Sequence, residues 1–72
     1  MSTAIVFCDD NGYELDRIEE ESVSCCTGDI IKVGSSEENH YEIQDKTFVV
    51  TKVVYYLDTK ERVLEAHLVG GI

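Results

Sequence analysis

Three cysteines, two histidines and fifteen carboxylates are the groups through which this 72-residue chain could do chemistry. Cys25-Cys26 lies between Glu19-Glu20-Glu21 and Asp29. A thiolate nucleophile forms at neutral pH beside a cation, a helix N-terminus or a base. This stretch supplies carboxylates instead, so packing or idle loop thiols are expected. A zinc site drawn from Cys8, Cys25, Cys26 and either His40 or His67 has enough ligands, but no Cys-x-x-Cys or His-x₃-His spacing gathers them. Adjacent cysteines also fit one tetrahedral ion poorly. No metal and no cofactor is therefore expected, and His40 and His67 read as solvent-facing strand residues. Asp9-x-Asn11-Gly12 has the opening of a calcium loop, yet Tyr13 stands where an oxygen ligand belongs and Gly12 comes two positions early. It reads as a hairpin turn.

Paired-carboxylate acid/base catalysis needs a cleft, for which a domain this small has little room. There is no phosphate loop, serine elbow or basic aromatic stripe. Val69-Gly70-Gly71-Ile72 invites comparison with the Gly-Gly tails of ubiquitin-like and sulfur-carrier proteins, but Ile72 would have to be removed and no helix is expected after the first hairpin. An enzyme is not expected.

The charge is segregated along the chain. Of the fifteen acids, twelve fall in residues 1–45, where Arg17 and Lys32 are the only Lys or Arg, and the whole chain carries a formal charge of −9. Such a field repels phosphate backbones and anionic lipid and attracts basic surfaces. Direct nucleic-acid binding and membrane binding are therefore not expected. Three cysteines make a poor disulfide framework, and the apolar run Ala4 to Cys8 is too short for a signal peptide. Both observations give the expectation of a cytoplasmic protein with reduced thiols.

The elements that must position these groups are strands. Val, Ile, Tyr, Thr and Phe gather in short runs punctuated by Asp, Asn, Gly and Ser, and residues 1–72 read as one small domain. Thr3 to Cys8 and Tyr13 to Ile18 form a hairpin across Asp9-Asp10-Asn11-Gly12. With Gly12 as the left-handed residue of a three-residue loop, Phe7 faces Leu15 and Ile5 faces Arg17, and Ile5, Phe7, Tyr13 and Leu15 share a side. An Asn-Gly two-residue turn instead pairs Cys8 with Leu15 and sets Phe7 opposite Asp16. Residues 19–27 read as a loop with room for one helical turn. Further strands are expected at Ile30 to Val33, His40 to Ile43, Thr47 to Leu57 and Arg62 to Val69. The expected core is Ile5, Phe7, Leu15, Ile31, Val33, Tyr41, Ile43, Val50, Leu64, Ala66 and Leu68. Five or six such strands suggest an all-β fold, an antiparallel meander coiled into a small barrel.

The order of the Asn11-Gly12 hairpin, the acidic loop, Gly28-Asp29-Ile30-Ile31-Lys32-Val33, Tyr41-Glu42-Ile43 and the valine-rich strand resembles small SH3-like β-barrel proteins of bacteria and their phages. The resemblance implies an interaction module and carries over no functional residue.

Two functional readings follow. In the first, the chain is a non-enzymatic protein-binding module. Val49-Val50, Val53-Val54 and Tyr55-Tyr56 are neighbouring apolar residues that must point to opposite faces, so the long strand needs cover on both. Val53, Tyr55 and Tyr56 are its candidate contacts with another protein or with a second copy in a homodimer. In the second, Glu14, Asp16, Glu19, Glu20, Glu21, Glu37 and Glu38 form a DNA-mimic surface, as in a phage-encoded inhibitor of a host nuclease or defence complex. Carboxylates at i and i+2 of a strand, such as Glu14 and Asp16, repeat every 6.6–6.8 Å or so, comparable with the roughly 3.4 Å charge spacing along one DNA strand. The partner would then be a basic, nucleic-acid-binding protein.

Overall fold

The computed structural model describes residues 3–20 and 23–71; Glu21, one of the candidate partner-binding acids, lies outside them. The strands are β1 (Thr3–Cys8), β2 (Glu14–Glu20), β3 (Ile30–Val33), β4 (Lys46–Tyr56) and β5 (Glu61–Gly71). They form one strongly curled sheet, a half-barrel in the order β2-β1-β5-β4-β3, with no helix among the described residues. β1 runs parallel to β5, and the other neighbours are antiparallel. The expected antiparallel meander is thus replaced by a mixed sheet, in which two hairpins meet side by side along β1 and β5.

The first hairpin closes as its turn residues dictate. Gly12 has φ 90° and donates its N–H to the Asp9 carbonyl (3.1 Å), while Asp9 donates to the Tyr13 carbonyl (2.9 Å). Asp9 Oδ1 accepts the N–H groups of Asn11 (2.9 Å) and Tyr13 (2.8 Å). This is the three-residue loop with a left-handed glycine, yet from Phe7 onward the strands pair in the register expected of the two-residue turn. Cys8 pairs with Glu14, then a bulge at Leu15 sets Phe7 opposite Asp16, Val6 opposite Arg17 and Ile5 opposite Ile18. Strict alternation would have turned Leu15, Arg17 and Glu19 toward the core. The extra residue lets Leu15 and Ile18 both pack there and sends Arg17 and Glu19 outward. Tyr13, expected beside Leu15, lies in the turn and is 73 % exposed.

A second bulge resolves the long strand. Val50 pairs with Ala66 and Lys52 with Glu65, which leaves Thr51 as the inserted residue. Phe48 and Val50 face the concave side before it, and Val53 and Tyr55 after it. Without the bulge Lys52 would point into the core. Thr51 Oγ1 instead donates to the Glu65 carbonyl (3.2 Å). A third bulge near the chain end leaves Val69 unpaired and 58 % exposed, and Gly70 and Gly71 pair with Thr47 and Lys46. The two glycines are strand residues rather than a free tail.

The concave face holds the core: Ile5, Phe7, Val33, Ile43, Phe48, Leu64 and Ala66, with Leu15, Ile18, Val23, Cys25, Ile31, Val53 and Leu68 packed against it. Phe7 and Phe48 meet edge to face at 4.7 Å. Phe48, fully buried, was absent from the expected core. The two strand ends that curl toward each other, β2 and β3, do not pair. Two loops close the opening. In the loop between β2 and β3, the Val23 and Cys25 carbonyls each accept from the Arg62 guanidinium at 3.3 Å. That loop ends at Gly28 and Asp29, which bond Val50 on both sides (2.7 and 2.9 Å).

The other loop, residues 34–45, takes the place of the expected strand His40 to Ile43. Its chain turns back on itself, so alternation fails: Ile43 is fully buried while Tyr41 is 85 % exposed. Gln44 holds the turn by donating to the carbonyls of Ser36 (3.2 Å) and Asn39 (2.8 Å). Ile43 therefore does the work of a core residue from inside a loop. Ile43→Ala should cost about 2–5 kcal/mol and Tyr41→Ala less than about 0.5 kcal/mol in urea unfolding. Equal effects would contradict this closure.

Candidate functional site

The outer, convex face of the sheet carries most of the groups with unassigned chemistry. Register places them in rows across the strands. One row is Glu19, Ala4, Val63 and Val54; the next is Arg17, Val6, Glu65 and Lys52; the third is Glu14, Cys8, His67 and Val49. Tyr56, opposite Glu61, continues this face beyond the first row. The described loops fold over the concave side, leaving Val6, Val49, Val54 and Val63 half-buried and Tyr56 51 % exposed.

Of the residues singled out on the long strand, Val53 and Tyr55 belong to the concave side. Val53 packs against the core, and Tyr55 lies where the hairpin projects past it, 47 % exposed. Leu57 adds an exposed apolar side chain at the tip, where Lys60, with φ 59°, donates to the Tyr56 carbonyl (2.7 Å). Val49, Val54 and Tyr56 are the members of the apolar pairs that face out.

The acids divide. The Leu15 bulge puts Glu14 outside, opposite Cys8, and Asp16 inside, opposite Phe7, so their expected i, i+2 spacing along one face is not present. Asp16 turns inward with His40 Nδ1 against its Oδ2, an oxygen that has no hydrogen-bond partner among the described residues, while its Oδ1 accepts the Arg17 N–H at 2.8 Å. Glu19, Glu20 and Glu38 come together at an open notch with Arg17, Ile18 and His40. Glu37 is exposed beside Glu38.

Sequence reasoning weighed Cys8 and His67 as zinc ligands together with Cys25 and Cys26, and missed Glu65, the residue that stands with them. Cys8 sits directly across from His67 in the parallel β1–β5 pair, and Glu65, two residues earlier, projects from the same face. The Cys8 thiol, a Glu65 carboxylate oxygen and a His67 ring nitrogen all lie within 4.8 Å of one another. His67 Nε2 and Glu65 Oε1 are hydrogen-bonded at 2.7 Å. The signal was Glu65-x-His67 on a strand, but nothing in the sequence announced that β5 lies beside β1 in that register. Burial pushes the Cys8 thiol above its usual range, and the carboxylates of Glu65, Glu14 and Asp9 push it the same way. A metal-free thiol so placed is a poor nucleophile.

No protein-family model, curated protein or solved structure matches this chain. The functional reading therefore rests on the chain's own geometry.

All three cysteines are free thiols, with Cys8 buried, Cys25 half-buried and Cys26 exposed. Alkylation of the folded protein at about pH 8, followed by mass spectrometry, should modify Cys26 first and Cys8 last, and raising the pH should speed Cys8. Rapid modification of Cys8 at neutral pH would contradict its burial and its acidic surroundings.

Proposed function

We propose that this chain is a non-enzymatic, cytoplasmic protein-binding module whose docking surface is the outer face of the β4–β5 hairpin. The observation that carries the reading is the apolar stripe Val63, Val54 and Tyr56, with no layer of described residues over it. A rigid tyrosine with a polar tip is a common interface anchor. Glu19 and Glu61 flank the stripe, with Lys52 and Glu65 opposite each other in the next row, and the chain as a whole carries −9. The fitting partner presents an apolar centre ringed by basic groups. A second copy fits less well, because it would bring like charge to like. The resemblance to SH3-like barrel proteins agrees with an interaction role, as does the curled five-stranded sheet. The free thiols support the cytoplasmic assignment, and no helix of the described residues is long and apolar enough to cross a membrane.

The phage-type mimic inhibitor keeps one specific support, the gathering of Glu19, Glu20 and Glu38 at a single notch. The two readings separate by salt and by variant. A partner recovered by affinity capture from the native host should lose binding to Val54→Lys and Tyr56→Ala by faster dissociation at every salt concentration, since packing is lost. Reversing Glu19, Glu20 and Glu38 to Lys should slow association, an effect that shrinks as salt rises. Full binding by Val54→Lys and Tyr56→Ala, with loss confined to the charge reversals, would replace the docking face with acidic mimicry. Self-association by sedimentation that Val54→Lys abolishes would instead make the partner a second copy.

A further inference from the structure

We propose that Cys8, Glu65 and His67 form a three-ligand site for a zinc-class divalent cation on the outer face of the β1–β5 pair. Thiolate, imidazole and carboxylate are the three donor types that zinc takes from proteins, and the thiolate favours such a borderline-soft ion over magnesium or calcium. Tetrahedral zinc, with Zn–S near 2.3 Å and Zn–N or Zn–O near 2.0–2.2 Å, sets its donors about 3.3–3.6 Å apart. The three donors already lie within 4.8 Å of one another. Occupying the site needs about an ångström of adjustment from Glu65 and His67, whose side chains are 41 % and 29 % exposed and whose mutual hydrogen bond at 2.7 Å opens as both turn to the ion.

The backbone beneath is fixed more firmly than the side chains. β1 and β5 are interior strands, each bonded on both edges, so the Cys8–His67 opposition is set by ladders rather than by a loop. Glu14, the cross-strand neighbour of Cys8 on β2, adds negative charge beside the three ligands, which attracts the cation and at the same time opposes loss of the Cys8 proton. Binding replaces the Cys8 S–H bond by an S–metal bond and releases that proton to solvent, while Glu65 enters as the carboxylate and His67 as the neutral ring. The fourth position faces outward and is left to water. The ion would clip the β1–β2 hairpin to the β4–β5 hairpin at their shared seam.

The test uses the full chain stripped with a chelator and titrated with Zn²⁺, and separately with Co²⁺ as a spectroscopic stand-in. The expected result is one ion per chain, a thiolate-to-cobalt charge-transfer band and a higher melting temperature with Zn²⁺. Cys8→Ser and His67→Gln should each remove the band and weaken Zn²⁺ binding more than about tenfold, and the Cys25→Ser/Cys26→Ser double variant should behave as the parent. If Cys8→Ser does not fold, His67→Gln and Glu65→Gln, at half-exposed positions, decide the matter once circular dichroism shows them folded. Absence of saturable binding would overturn the site. Binding that follows Cys25 and Cys26, or that lacks the thiolate band and survives His67→Gln, would equally overturn it.

Discussion

The core of this protein opens along the seam between β2 and β3, and most of the structure answers that opening. A curled sheet of five strands whose edges β2 and β3 do not pair is not closed by hydrogen bonding. Side chains and loops must. Ile43 fills the gap from residues 34–45, Val23 and Cys25 fill it from the preceding loop, and Arg62 holds that loop through two backbone carbonyls. Asp16 and His40 meet where the covering loop reaches β2. An inward carboxylate is costly unless paired, and His40 is the residue that the covering loop brings to Asp16.

Bulges decide what each side of the sheet carries. A strand of strict alternation would have buried Lys52 in β4 and Arg17 in β2. One inserted residue in each, Thr51 and Leu15, moves the charge outside and brings Val53 and Ile18 to the core. The inversion has a second effect. The bulge at Thr51 also turns Val54 and Tyr56 to the outer face, where they form an apolar stripe with Val63, while the unbulged β1–β5 pair sets Cys8, Glu65 and His67 together on the same face.

Strand existence was legible because composition and turn chemistry agreed locally. Ile30–Val33 and the left-handed Gly12 appear as expected, and β4 and β5 differ from expectation by one or two residues. The misreadings share one cause, the assumption that alternation runs unbroken. It paired Phe7 with Leu15 in the register given first, where the alternative had Phe7 opposite Asp16 as observed, gave Glu14 and Asp16 one face, and made His40 to Ile43 a strand with Tyr41 inside. Pairing between distant strands was illegible for a different reason. Nothing local distinguishes β5 lying parallel to β1 from β5 ending a meander, since the choice depends on which edges can be covered by loops. The Cys8, Glu65 and His67 cluster exists only through that choice, so a search by ligand spacing could not reach it.

The two outer-face features are physically separable. Ala4 and Cys8 stand four residues apart on β1, about 13 Å at strand rise, and they mark the rows of the apolar stripe and of the donor cluster respectively. Changes more than about 7–10 Å apart with no shared partner combine nearly additively. Glu65 is the exception, since it occupies the row between the two and stands opposite Lys52. An ion held at the cluster draws on Glu65, leaving Lys52 with a less negative neighbour and the middle of the face more positive. A partner with a basic rim would feel that change as reduced attraction. If both proposed sites are used, the same carboxylate would couple them in one direction: cation binding would weaken docking of a basic partner, and by linkage a docked basic partner would weaken cation binding by the same factor.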